Sequence, residues 1–213
     1  EFVLMKRRDF VTLGIVALAV TACGKKQKLT ALPAGSKVLA FGDSVTFGTG
    51  AAPGEDWPTL LAGLTSWDVT NAGLPGDTAE AGKWRIQGLL DEHAPALVII
   101  EIGGNDFLRR RAPSAVKEDI KFLIAAAKNA GTQVVLIGVP ELSLLAVVSG
   151  KAGDSPIYQE LAKEERVPLI ADVFSDILSR PALCADKIHP NAQGYQKMAS
   201  GIQAGLKHIG LAR

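Results

Sequence analysis

Apolar residues are distributed along the chain in two alternating patterns. Continuous apolar runs at 38–41, 67–72, 95–102, 133–139 and 167–171 read as five short strands, most of them with no polar face. Between these runs the apolar residues recur at helical spacing. Asp56-Trp57-Pro58 caps and opens a helix through Leu60, Leu61 and Leu64, and Asp77 or Thr78 caps another that continues to about Asp91. Residues 113–130 carry Val116, Ile120, Leu123, Ile124 and Ala127 on one face and close at Gly131. Residues 156–166 and 192–209 complete the series, the last with Gly201 and Gly205 inside it. Strands alternating with helices imply a parallel sheet covered on both sides. Right-handed crossovers then make it a three-layer α/β/α sandwich around a five-stranded parallel sheet.

In such sheets the chemistry lies beyond the carboxyl ends of the strands. The first run breaks at Gly42, and 42–48 read as a sharp strand-to-helix exit that exposes Ser44. An Asp-Ser pair after a strand is more often a helix cap than a nucleophile, so the serine needs company: a histidine base, a carboxylate to orient it and donors for an oxyanion. Of three histidines, His93 enters the third strand on the wrong edge and His208 lies near the C-terminus. His189, in a Pro-Asn turn before the last helix, has Asp186 three residues back, so one loop presents both groups. Ser44, Gly76 and Asn105 follow the first, second and third strands and therefore share one sheet edge.

Four blocks carry a resemblance: Gly42-Asp-Ser44, Asn71-Ala-Gly-Leu-Pro-Gly76-Asp-Thr, Glu101-Ile-Gly-Gly-Asn105-Asp and Asp186-Lys-Ile-His189-Pro-Asn. In that order they resemble the SGNH, or GDSL, hydrolases. The similarity is nearest to the bacterial periplasmic thioesterase, protease and lysophospholipase type and to arylesterases. Trp57-Pro-Thr-Leu-Leu61 and Leu161-Ala-Lys-Glu-Glu-Arg-Val-Pro168 extend it. The resemblance implies the flavodoxin-like strand order 2-1-3-4-5 and a Ser44–His189–Asp186 triad. It also implies an oxyanion hole of the Ser44 N–H, the Gly76 N–H and the Asn105 amide, with Gly73 as the competing glycine; no Cys/His cluster in the sequence is spaced for a metal, and no cofactor is expected. Phe47, Phe107 and the apolar residues Leu142, Leu144 and Leu145 in the 141–148 loop are candidates for an acyl groove; packing is the other reading of that loop. Arg109-Arg110-Arg111 either meets an anionic head group or is a solvated run.

Composition narrows the partners. The 213 residues, 47% hydrophobic and 21% charged, suffice for one domain with a sizeable core. The formal charge of +1 falls to zero once residues 1–22 are set aside, which argues against a nucleic-acid partner. Met5 reads as the start, with 1–4 as an extension, and residues 1–22 as an export signal whose arginine pair also resembles a twin-arginine motif. Its apolar stretch, 11–22, is too short to span ~30 Å of hydrocarbon. Val20-Thr-Ala-Cys23 resembles a lipobox, with a lipidated Cys23 and a lysine-bearing tether over 23–35; a plainly cleaved signal is the alternative. That leaves Cys184 unpaired and 36–213 as the hydrolase domain.

The functional expectation is a monomeric serine carboxylester hydrolase, lipid-anchored in the bacterial envelope on its periplasmic or outer-membrane face. It works through an acyl-enzyme on short- to medium-chain aryl, thio or lysolipid esters. An O-deacetylase of cell-wall or surface glycans is a second enzymatic reading. A non-catalytic envelope-binding lipoprotein is a reading of another class.

Overall fold

The computed structural model describes residues 29–141 and 153–213. One parallel sheet runs in the order β2-β1-β3-β4-β5, with β1 at Lys37–Gly42, β2 at Asp68–Gly73, β3 at Leu97–Glu101, β4 at Gln133–Ile137 and β5 at Leu169–Ile170. This is the order that the family resemblance implies. Val38 pairs with Val69 on one side and Leu97 on the other, and Leu97 with Gln133, so the strands start nearly level. The central strands are continuous apolar runs because both their faces are covered: every residue of β3 is buried, and in β1 only Lys37 is exposed. Edge strand β2 is only half covered and correspondingly polar.

Helices α2 (Trp57–Thr65), α8 (Val173–Leu178) and α9 (Ala192–His208) pack together in one layer. The other layer holds α3 (Ala79–Gly82), α4 (Ile86–His93), α6 (Pro113–Asn129) and α7 (Pro156–Glu165). Gly205 lets α9 approach β5 and Gly201 lets it approach α8, since a Cβ on them would lie 2.9 Å from Ile170 and 3.0 Å from Val173. Asp56, Thr78 and Asn191 each cap their helix through the side chain.

Several elements differ from the periodicity. The helix expected from 78 to 91 is two helices, interrupted at Lys83–Arg85, where the Arg85 guanidinium is drawn back to the strand ends. Two short helices, α5 (Gly104–Leu108) and α8, stand where the periodicity marks no element, and β5 is two residues long. Residues 29–35, expected in the tether, are held against the domain: Leu32 is buried, donates its N–H to the Leu211 carbonyl at 2.9 Å and accepts from the Trp67 indole at 3.4 Å. The expected export signal and Cys23 lie outside the described residues, as do Leu142, Leu144 and Leu145.

Candidate active site

Ser44 opens α1 (Ser44–Phe47), the single turn that follows β1. Asp43 caps that turn by accepting the Val45 N–H at 3.0 Å, and Gly48 closes it in the left-handed conformation. Gly42 is required by a close approach: a Cβ there would lie 2.1 Å from Thr46 Oγ1 and 2.2 Å from the Glu101 carbonyl. The hydroxyl of Ser44 is 2.9 Å from His189 Nε2, and His189 Nδ1 is 2.8 Å from Asp186 Oδ2. The other Asp186 oxygen accepts the N–H groups of Ile188 and His189, both at 2.8 Å. Partial burial works against the Asp186 charge, but these three hydrogen bonds hold its carboxyl below the usual range. An ionised Asp186 fixes the tautomer with the proton on Nδ1, leaving Nε2 to accept from Ser44.

Asn105, the second residue of α5, donates through Nδ2 to the Asp77 carbonyl at 2.9 Å and to Asp43 Oδ2 at 3.3 Å. The first bond sets its amide beside the Asp77–Thr78 peptide, one residue past Gly76. Of the two candidate glycines, Gly73 donates its N–H to Asn71 Oδ1 at 2.9 Å, whereas the Gly76 and Ser44 N–H groups make no hydrogen bond among the described residues. Gly76 is exposed and has φ +80°, a conformation that only glycine adopts freely. Its carbonyl, on the other side, accepts from Arg109 at 3.0 Å.

The residues beneath this loop escaped the sequence reading. Arg85 donates to the carbonyls of Ala72 (2.8 Å) and Gly42 (2.9 Å), pairs with the Asp77 carboxylate at 2.7 Å and lies 3.9 Å over the Phe41 ring. It therefore ties the carboxyl ends of β1 and β2 to the loop that carries Gly76. Asp106, fully buried, accepts the Ala79 N–H at 2.8 Å and pairs with Arg111 at 2.5 Å. Arg111 also pairs with Asp119 at 2.8 Å, which removes it from any solvated run; hydrogen bonds to Asp106 and Asp119 raise its pKa. No spacing rule marks these groups, because their partners lie at irregular separations, from five to 43 residues along the chain.

Two further carboxyls are buried below Ser44. Burial pushes Asp43 up to about 6, partly offset by its Val45 hydrogen bond and by His189. Burial, reinforced by Asp43, also raises Glu101 well above the ordinary value; one of its oxygens accepts from Thr46 at 2.7 Å, and the other has no partner among the described residues.

The cleft above Ser44, Asn105 and His189 is small, open and flanked by Leu108, Phe174 and Ile188. Phe107, expected there, is instead 7% exposed and part of the core: within the turn of α5 the neighbouring Leu108 faces the cleft. Phe47 is 55% exposed but does not line the cleft. A larger depression at the opposite sheet edge, bordered by Leu90, Asp91 and Asn129, brings together no nucleophile and base. Burial and the Asp186 charge raise the thiol pKa of Cys184, which leaves it a poor nucleophile. Among the described residues no His, Cys, Asp and Glu cluster is placed to hold a metal ion.

Residues 40–197 match the GDSL-like lipase/acylhydrolase family model. The chain belongs to this family. Esterase TesA of Pseudomonas aeruginosa is 28% identical over 91% of this chain and 98% of its own. Thioesterase 1/protease 1/lysophospholipase L1 of Escherichia coli K12 is 32% identical over 83% of this chain and 86% of its own. A crystal structure of TesA superposes with a TM-score of 0.72 at 27% identity, covering 82% of this chain and 99% of that one. As a member of this family the chain is a serine ester hydrolase.

Proposed function

We propose that Ser44, His189 and Asp186 perform the hydrolysis through an acyl-enzyme. The observation that carries this reading is the continuous relay from Ser44 Oγ to His189 Nε2 at 2.9 Å and from His189 Nδ1 to Asp186 at 2.8 Å. Ser44 Oγ adds to the ester carbonyl as its proton passes to Nε2. The tetrahedral oxyanion is met by the N–H groups of Ser44 and Gly76 and by Asn105 Nδ2, whose long 3.3 Å bond to Asp43 is exchanged for the oxyanion. His189 returns the proton to the departing alcohol or thiol, and water, deprotonated by the same nitrogen, cleaves the acyl-serine. Asp186 holds the imidazole and balances its transient charge.

The substrate class is short- to medium-chain aryl, thio or lysolipid esters, supported by the apolar flank of Leu108, Phe174 and Ile188 and by the names of the relatives. Turnover of p-nitrophenyl esters from acetyl to palmitoyl, beside an acetylated glycan, tests this. An overwhelming preference for acetyl groups on glycan would make the enzyme a surface-sugar deacetylase. Covalent capture by a fluorophosphonate that disappears in Ser44→Ala tests the nucleophile and separates an enzyme from a binding protein.

The same reading places the enzyme in the bacterial envelope, anchored by lipid on Cys23; its support is the lipobox-like Val20-Thr-Ala-Cys23. No helix among the described residues is long and apolar enough to cross a membrane. Diacylglycerol with a further acyl chain supplies the two or more chains that stable anchoring needs. Mass spectrometry of the N-terminus and loss of membrane partition in Cys23→Ser test the anchor.

A further inference from the structure

The N-terminal segment joins the domain at the sheet edge opposite Ser44. Leu29 packs against the core. Gln133 clasps Thr30, accepting its N–H at 2.7 Å and donating to its carbonyl at 3.0 Å. Gln133 opens β4, and through Leu97 its register is level with Val38 at the start of β1. Leu32 is fastened to Leu211, just past the end of α9, and to Trp67, just before β2. All these attachments belong to the amino edge. From Val38 to Gly42 the strand rises ~13 Å, and Ser44 lies two residues farther on, so its cleft, which opens outward from the carboxyl edge, is on the order of 20 Å from the amino edge.

Resting on the reading that Cys23 carries the lipid, we propose that the anchored enzyme holds its cleft away from its own membrane. Its substrates are then esters that arrive through the aqueous phase or on a facing surface, not lysolipids lying in the anchoring leaflet. Five residues separate Cys23 from Leu29, and in any conformation the six steps between them span at most ~22 Å. A cleft turned toward the leaflet would lift Leu29 by at least the ~20 Å that separates the two edges. The chain would then have to pass around a helical layer, about 10 Å out from the sheet. The available reach covers only the straight line that the domain itself occupies. Lys25, Lys26 and Lys28 fall within this span, and their attraction to anionic head groups draws the amino edge inward.

The test uses full-length acylated protein purified from bacterial membranes and reconstituted in phosphatidylethanolamine–phosphatidylglycerol vesicles. A fluorescent fluorophosphonate on Ser44 reports the distance from the site to acceptor-labelled head groups by energy transfer. A separation above ~20 Å is expected, and a site within that distance overturns the proposal. In a second arm, 25 Gly/Ser residues are inserted between Lys28 and Leu29. The insertion should leave turnover of soluble p-nitrophenyl butyrate unchanged and broaden the distances so that a population with the site within ~20 Å of the head groups appears as a fast donor decay; a decay identical to that of the native tether overturns the proposal. Failure of the underlying readings is separately visible: an unmodified Cys23 by mass spectrometry removes the anchor, and failure of Ser44 to take the probe removes the nucleophile.

Discussion

Asp186 and His189 hold each other across three residues of chain, in a loop where Asp186 is 54% exposed and the imidazole 13%. Asn105 and the Gly76 loop, on the other side of Ser44, are held by buried or half-buried groups from several elements: Asp43 after β1, Arg85 before α4 and Asp106 in α5. In the mechanism proposed above His189 is the base, which must accept and return a proton and so tolerates a local, half-wet mounting. Donors for an oxyanion help only if they are already in place when charge develops, which calls for a mounting that does not relax. The contrast also explains where ionic groups are buried: the costly pairs, Arg85–Asp77 and Arg111–Asp106, all lie under the donor side.

The largest effect should come from the local half. Ser44→Ala or His189→Ala should each lower kcat by ~10⁴-fold or more, with the double variant hardly worse, because the pair acts as a unit. Additive losses would break the relay. Next, Asn105→Ala should lower kcat by ~10²–10³-fold with little change in KM. A loss confined to KM would make Asn105 a substrate-binding group instead.

Arg85→Met sharpens the comparison, because it touches only the mounting. Removing one member of a partly buried ion pair should cost about 3 kcal/mol, a fall of roughly 6–12 °C in Tm, and lower kcat by about tenfold through a loosened Gly76 loop. The corresponding change on the other side, Lys187→Met in the exposed histidine loop, should do neither. Thermal melts and kinetics of the two variants side by side decide it; equal behaviour would erase the distinction.

A smaller effect concerns pH. Asp43 titrates near 6 in the folded protein against 3.8 for an unperturbed carboxyl. The folded state therefore binds this proton more tightly, so the stabilisation is complete below about pH 3.8 and is lost as pH rises through 6. Glu101 is shifted in the same direction. Relative to Asp43→Asn, the wild type should lose stability between about pH 4 and 6, measured as a widening gap in Tm. Parallel curves would mean that the charge is solvated after all.

The sequence exposed what is short-range. The run 38–41, the break at Gly42 and the Asp186–His189 spacing can each be read within a dozen residues. Hidden was everything set by side chains meeting across the fold. Arg85 interrupts a helix because its partners are 8, 13 and 43 residues away. Helices α5 and α8 are too short for a period to register, and without α5 nothing distinguishes Phe107 from Leu108 as the cleft residue. That the Gly73 N–H is committed to Asn71 while the Gly76 N–H has no acceptor among the described residues is a fact of hydrogen bonding that lies outside composition.

The close fit around α1 reaches beyond the reacting groups. A Cβ at Gly42 would lie 2.1 Å from Thr46 Oγ1, and one at Gly73 would lie 2.1 Å from the backbone nitrogen of Phe47. Both glycines are therefore part of the seat on which the nucleophile's turn rests, although neither needs to touch a substrate. For inheritance and for laboratory evolution, the intolerant region of this enzyme is wider than its chemistry. In a saturation library screened for folded, active protein, positions 42 and 73 should be as barren as position 44, whereas Gly63 and Gly88, which face open space, should accept alanine freely. Recovering active Gly73→Ala clones at the frequency of Gly88→Ala would show that α1 can shift without losing its serine.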